Sequence, residues 1–503
     1  MRLFGLALLI TLPWLNPFSP GPSAAVVPLL FAWACVAGLL LLRAGDRGPA
    51  ARQRWVHAMA GAWLMAACVS AVIGLLQYFG ATSGLGVWAN HTEVGLAYGN
   101  LRQRNQFASL MTIGLAALLW WAAQTSPDGA GRHTGRFGLA MALAVLLGAG
   151  NAASSSRTGL LQLLLVVALS LHWRHRARRQ ATSTPAASAL PCVLLAAVLG
   201  YAVANWALPW LAGLDPSSRG AWARLRAGDS VCASRLTLWR NVLYLIAQKP
   251  WLGWGWGELD YAHFITLYPG PRFCDILDNA HNLPLHLAVA LGVPLAVVLC
   301  GGGLWLVWRA RPWRELDPTR HMAWAILAVI VLHSLLEYPL WYGPFQMASG
   351  LCVWLLLPAS GQTHRPLAPY LQATGAGMLL TFCALAAWQY HLASQIYRPP
   401  EQRAPAYRSN TLDKTRPVRL FRDEIRFAEL TITDLTPANA GQMNGLAKEL
   451  LHFSPEARVV EIVIDSARLL GRDAEADFYL ARLQAAFPQA HADWRKTHGT
   501  IDP

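Results

Sequence analysis

Runs of apolar residues close to twenty long, separated by short polar linkers, set the rhythm of this 503-residue chain. Ala24 to Leu42, Val56 to Phe79 and Leu190 to Leu208 are the plainest. Each approaches the ~20 residues that a helix needs to cross about 30 Å of hydrocarbon. Such segments fall at residues 3–16, 24–42, 56–79, 106–123, 137–152, 158–172, 190–208, 283–308, 321–340, 343–358 and 371–390. The pattern predicts an all-α fold, a polytopic transmembrane helical bundle of about eleven spans. The first run, Leu3 to Trp14, has no small-residue cleavage site and reads as a retained signal anchor. No internal repeat relates the spans.

From Leu420 onward the periodicity becomes that of amphipathic helices. Apolar positions recur through Ile425, Ala428 and Leu430, then along 447–453, 459–470 and 474–487. Gly471 falls between the last two stretches, where a helix ends on a glycine. The rhythm is that of a single helix-turn-helix, tetratricopeptide-like unit. Residues 398–418, rich in Pro and Arg, read as a linker. The expected organisation is therefore a transmembrane domain over 1–397, including a long loop at 209–282, and a linker with a small helical domain over 398–503.

Composition agrees: 54% of residues are hydrophobic and 14% charged, against about 25% charged in a soluble domain. A soluble globular enzyme is excluded. The net charge of +14 suggests nucleic acid until its placement is considered. Arg43, Arg47, Arg52 and Arg54 fill one linker; Arg132 and Arg136 a second; Arg174, Arg176, Arg178 and Arg179 a third; Arg309, Arg311, Arg314 and Arg320 a fourth. Placing these four linkers in the cytoplasm satisfies the positive-inside rule at every turn, so no nucleic-acid partner is implied. The N-terminus is then inside. Residues 80–105, the turn at Ser154 to Arg157, the 209–282 loop, the turn at Tyr338 to Gly343 and the tail from about 391 lie outside.

The outward segments break this charge logic. They carry Arg102, Arg104, Arg157, Arg219, Arg224, Arg226, Arg235, Arg240, Lys249 and Arg272. Basic residues there oppose the insertion bias, and an anionic substrate at the outer surface is the simplest reason to keep them. In "SSSRTG", Arg157 opens a span behind three serines, where unbonded backbone N–H groups and the helix dipole already favour an anion. Phosphate binding and snorkelling to lipid headgroups are the two readings of this arginine. Arg235 opens an amphipathic stretch followed by the aromatic turn "KPWLGWGWG", which suits interfacial anchoring or sugar stacking. "DNAHNLPLHLAVALG" sets His281 and Asn282 at the outer start of a span, with Asp278 or Asn279 as the cap. A neutral imidazole there can accept a proton, and a structural hydrogen bond is the competing reading. "HSLLEYPLWY" places His333 and Glu337 one turn apart at the outer end of another span, beside an aromatic belt that includes Tyr338. No cluster of Asp, His or Cys has metal-ligand spacing, so neither metal nor cofactor is expected.

Taken in order, "GNLRQRNQFAS", "SSSRTG", "SRLTLW", "KPWLGWGWG", "AHNLPLHLAVALG" and "HSLLEYPLWY" resemble the PglL-type protein O-oligosaccharyltransferases of the O-antigen ligase and polymerase superfamily. The resemblance covers about residues 8–390, and the tail is similar to the C-terminal region of that branch. It implies a bacterial inner-membrane enzyme whose active site faces the periplasm. Such an enzyme moves a glycan en bloc, without a metal, from an undecaprenyl-diphosphate carrier to Ser or Thr hydroxyls of periplasmic acceptor proteins, pilin-like ones among them. Residue by residue, Arg157 and Arg235 match the arginines that hold the diphosphate, with Arg104 beside them, and His281 matches the essential His of the "HN" motif. Gln103, Asn105, Asn282, His333, Glu337 and Tyr338 are the supporting positions. Gly292 matches the glycine that follows that motif after nine intervening residues, whereas Leu295 and Ala290 depart from the family pattern.

Two other functions remain open. A ligase or polymerase would use the same donor with a lipid A core or another glycan as acceptor. A transporter of lipid-linked substrate would bind with its arginines and make no bond. Cys232 and Cys274 are the two of eight cysteines assigned to outward loops, and an oxidising periplasm would join them as a disulfide.

Overall fold

Every apolar run becomes a helix, and no strand occurs among the described residues. The computed structural model describes residues 2–44, 49–124, 130–180, 189–215, 220, 224, 226, 228, 230–357 and 368–499. Arg47, Arg219 and the side chain of Arg132 lie outside the described residues. In chain order come α1 (Arg2–Leu15), α2 (Val26–Ala44), α3 (Pro49–Tyr78), α4 (Arg104–Ala123), α5 (Ala130–Ala153), α6 (Arg157–Arg179) and α7 (Leu190–Leu211). They are followed by α8 (Arg235–Gln248), α9 (Leu259–Ile265), α10 (Leu283–Leu291), α11 (Val293–Ala310), α12 (Pro318–Ser334), α13 (Gly343–Leu356) and α14 (Ala368–Ser394). The tail forms α15 (Thr411–Thr415), α16 (Arg422–Ile432), α17 (Ala440–Leu450), α18 (Ala457–Leu469), α19 (Asp473–Ala486) and α20 (Pro488–His498).

Seven of these segments are long and apolar enough to cross a membrane: Val26–Ala44, Ala50–Tyr78, Arg104–Ala123, Gly135–Ala153, Leu190–Leu211, Val293–Arg314 and Pro369–Tyr397. With Leu3–Leu15 and Gly343–Leu356 as shorter apolar helices, they make this a multi-pass membrane protein. The span expected over 283–308 is broken. Gly292 adopts φ +87°, outside the helical region, and separates α10 from α11.

By contacts the chain divides into two units, residues 1–228 with 307–384 and residues 229–306 with 385–503. In the first, α4 is the central helix and is buried on nearly every side. Phe107, Leu110, Met111, Ile113 and Leu118 carry the core toward α3, α5 and α12. Helices α5 and α7 approach most closely through small residues: a Cβ on Gly148 would come within 2.2 Å of the Ala197 carbonyl oxygen. Such contacts suit helices that must associate without a hydrophobic drive between them.

In the second unit the tail shares its core with part of the long loop. Phe264 of α9 is buried among Phe427, Leu430, Leu450, Val463 and Ile464, with Tyr261 and Ile265 packed alongside. Glu258 meets His452 Nδ1 at 2.6 Å, Tyr261 stacks on His452 at 3.8 Å, and Arg482 Nε donates to the Ile265 carbonyl at 2.9 Å. The tail, expected from its periodicity to be a small helical domain, is thus docked on residues 258–265. Residues 398–418 are ordered as well: Arg403 donates to the Arg398 carbonyl and to Thr411, both at 2.9 Å.

Candidate functional site

In the first unit the "SSSR" turn is built from buried serines. Ser154, Ser155 and Ser156 are all buried, and Ser155 sits at φ +51°. Ser156 has extended backbone and caps α6 by accepting from Gly159 N at 2.9 Å. Its hydroxyl donates to Asn105 Oδ1 at 2.6 Å, and Asn105 Nδ2 donates to Glu337 Oε1 at 3.0 Å. Glu337 is only 7% exposed, so this carboxylate reaches through one amide to the residue that starts the Arg157 helix. The cap satisfies one of the terminal N–H groups, and the dipole leaves the positive end of α6 beside a half-buried Arg157.

A second layer lies one turn deeper. Ser109 meets His333 Nδ1 at 2.9 Å, and Gln162 Nε2 donates to the Ser109 hydroxyl at 2.7 Å. His333 is fully buried in α12, so it braces α4 against α12 from inside the bundle. Gln103 caps α4 by accepting from Gln106 N at 2.9 Å, leaving Arg104 half-buried at the first helical position. Tyr338 stacks on Tyr342, with ring centres 5.9 Å apart. Arg102, by contrast, is spent on structure, donating to the Pro17 carbonyl at 2.7 Å.

Ser109 and Gln162 do not stand out in the sequence. Isolated polar residues in apolar helices carry no pattern, and only their partners reveal them. Arg224 is, by sequence, merely one of several loop arginines. It donates to the Ser155 carbonyl at 3.3 Å and so reaches the turn that carries Arg157.

In the second unit, Ser234 caps α8 by accepting from Thr237 N at 3.2 Å, which places Arg235 at the first helical position. Trp239 of the same helix donates its indole N–H to the Ala280 carbonyl at 3.1 Å, fixing the chain just before His281. Asn241 spans the adjacent strip, donating to the Pro271 carbonyl at 3.0 Å and accepting from Phe273 N at 2.8 Å. Cys232 and Cys274 form a disulfide with a Cα–Cα separation of 5.2 Å.

The cap expected at Asp278 or Asn279 is neither of them. Asn282 is extended and accepts from Leu285 N at 3.1 Å, while buried Asn279 receives His281 N at 3.0 Å. His281 therefore stands one residue before the cap, at φ +49°, in a strained position held by its neighbours. The aromatic turn closes the other end of α10: Trp254 N donates to the Val289 carbonyl at 2.8 Å and Val293 N to the Pro250 carbonyl at 2.8 Å. A Cβ on Gly292 would lie 2.0 Å from the Trp251 carbonyl oxygen, so only glycine fits.

Nearby, His263 bonds Tyr268 at 2.8 Å and the Phe273 carbonyl at 3.1 Å. Burial, helped by the charge on Arg272, pushes its pKa down to about 3. Beside it, burial raises the Asp260 carboxyl to about 7, with Glu258 and Asp278 adding to the rise.

Residues 140–300 match the family model described as O-Antigen ligase, and residues 97–122 match the one described as Protein glycosylation ligase. These two stretches make the chain similar to O-antigen ligases and protein glycosylation ligases. Residues 321–501 match a third family model, described as Virulence factor membrane-bound polymerase, C-terminal. The O-antigen ligase region contains the "SSSR" turn, Arg235, the aromatic turn and His281. The glycosylation ligase region contains Gln103, Arg104 and Asn105. A general O-oligosaccharyltransferase from Acinetobacter baylyi is 28% identical over 171 residues, covering 31% of this chain and 29% of that protein. The chain thus matches less than a third of that relative's length. No solved structure matches significantly.

Proposed function

We propose that this chain transfers a glycan en bloc from an undecaprenyl-diphosphate carrier to Ser or Thr hydroxyls of periplasmic acceptor proteins. The carrying observation is the buried Glu337–Asn105–Ser156 chain of hydrogen bonds that sets the cap of the helix opening with Arg157. The acceptor oxygen attacks C1 of the first sugar, the new C–O bond forms, and the bond from C1 to the diphosphate oxygen breaks. The diphosphate departs with growing negative charge. Arg157, Arg235 and Arg104 stabilise that charge, an interaction that strengthens toward the transition state and so counts toward rate. His281 accepts the hydroxyl proton. The similarity to a general O-oligosaccharyltransferase supports the reading, and the tail helices, tetratricopeptide-like in rhythm, would then face the acceptor's compartment.

A second reading keeps the donor and changes the acceptor to a lipid A core or another glycan. The polymerase match over 321–501 favours it. Expression in a glycosylation-deficient bacterium, with a lipid-linked glycan and candidate acceptor proteins, decides between the two by intact mass. A mass gain of one whole glycan on an acceptor protein supports protein glycosylation. Elongated or core-linked glycan with unmodified proteins supports the second reading. In the same system His281→Gln should lower transfer by ~10²-fold or more, as loss of a general base does. Near-normal transfer by a well-expressed His281→Gln variant would sink the base assignment.

A further inference from the structure

A cavity of about 310 Å³ opens at the basic end of α6, far along that helix from Arg157. Helices α4, α6 and α12 enclose it, with Trp120, Ala123, Trp173, Arg174, Arg178 and His321 in its walls. Its size is at the lower end of small-molecule sites. Most of the lining is apolar, and the polar edges of its aromatic walls are already engaged. Trp120 Nε1 donates to Thr319 at 3.2 Å, Trp173 Nε1 to the Pro312 carbonyl at 2.8 Å, and His321 Nε2 meets the Glu315 carbonyl at 3.0 Å. Trp173 and His321 also stack face to face at 4.4 Å, which stiffens that wall.

What the walls leave over is positive charge. Arg174 Nε is buried and has no hydrogen-bond partner among the described residues. No acidic side chain is among the described residues lining the cavity. Glu315, in the neighbouring linker, is bound to Arg320 at 2.5 Å. Burial, and then the like charge on Arg178, lower the pKa of Arg174. A guanidinium so placed presents donors in the fork geometry that suits phosphate oxygens.

We propose that this cavity binds one anionic phospholipid, its phosphodiester on Arg174 and Arg178 and an acyl chain along the apolar wall of Trp120, Leu119 and Met322. Basic pockets between transmembrane helices at the inner membrane face suit such headgroups. The basic end of α6 lies at that face by the positive-inside rule. The bland alternative is that these arginines merely set topology and touch bulk headgroups without selection.

Native mass spectrometry of the detergent-purified full chain separates the two. Phosphatidylglycerol should be retained in preference to phosphatidylcholine. Arg174→Gln/Arg178→Gln should lower that retention about tenfold, the loss expected for a charge-assisted hydrogen bond. Ala123→Phe, which fills the cavity and leaves every charge in place, should do the same. If the double variant fails to insert, Ala123→Phe decides alone. Equal retention of the two lipids, or undiminished phosphatidylglycerol on Ala123→Phe, would overturn the proposal. So would inorganic phosphate alone raising the melting temperature as much as phosphatidylglycerol does, because a free anion would then account for the site.

Discussion

At Asp260 a carboxyl only 8% exposed is held at a pKa of about 7, chiefly by burial. An unfolded aspartate titrates near ~3.9, so between these values the folded chain binds more protons than the unfolded one. Stability from this group is therefore fully present below pH ~4 and falls as pH rises to about 7. Asp260→Asn removes the effect. The melting temperature of the variant minus that of the parent should climb between pH 5 and pH 7 by several degrees, on the order of what ~1–2 kcal/mol produces, and then level off. A difference that does not change with pH would show that the carboxyl is not held protonated by the fold. Much of the local chemistry is legible in the sequence. The serine cap before Arg157 and the pairing of Cys232 with Cys274 follow from local motif and compartment. The cap of α10 is not legible there, because Asp278, Asn279 and Asn282 are all competent caps. Only the left-handed backbone of His281 decides for Asn282.

Helix α10 ends where it does because of Gly292. Its backbone is left-handed, and an added Cβ would strike the Trp251 carbonyl oxygen. Gly292→Ala should cost at least ~2–3 kcal/mol and lower the melting temperature in detergent, as backbone strain and a backbone clash together require. Gly302→Ala, on the open face of α11 with nothing within 4 Å, is the matching control and should be neutral or slightly stabilising. Equal effects would remove the packing argument for the break. The sequence suggests one unbroken span here because hydropathy runs through the glycine without interruption. Whether such a residue sits inside a helix or ends it depends on the turn at 250–255, some forty residues earlier in the chain.

For the molecule as a whole, the topology rests on where the arginines fall. Alkaline phosphatase fused shortly after Tyr390 should be active, as expected of a C-terminus outside the cytoplasm. Fluorescence from an ordinary cytoplasmic reporter at that point would overturn the arrangement and put His281 on the wrong side. The fold class is readable from hydropathy alone. The docking of the tail is not, since Glu258 and His452 stand 194 residues apart and neither belongs to a recognisable motif. Phe264→Ala tests that docking. It should cost about 3–5 kcal/mol and speed hydrogen exchange in residues 258–265 and 440–469 together. Faster exchange confined to the loop would mean that the two segments fold independently.

The shared core around Phe264 also has a bearing on protein engineering. A chimera that grafts a relative's residues 398–503 onto this chain would set a foreign surface against Phe264, Tyr261 and Glu258. The graft that keeps the native packing must also exchange the 258–265 segment, so the smallest transplantable module is discontinuous in sequence, and a single crossover at the end of α14 would cut through it.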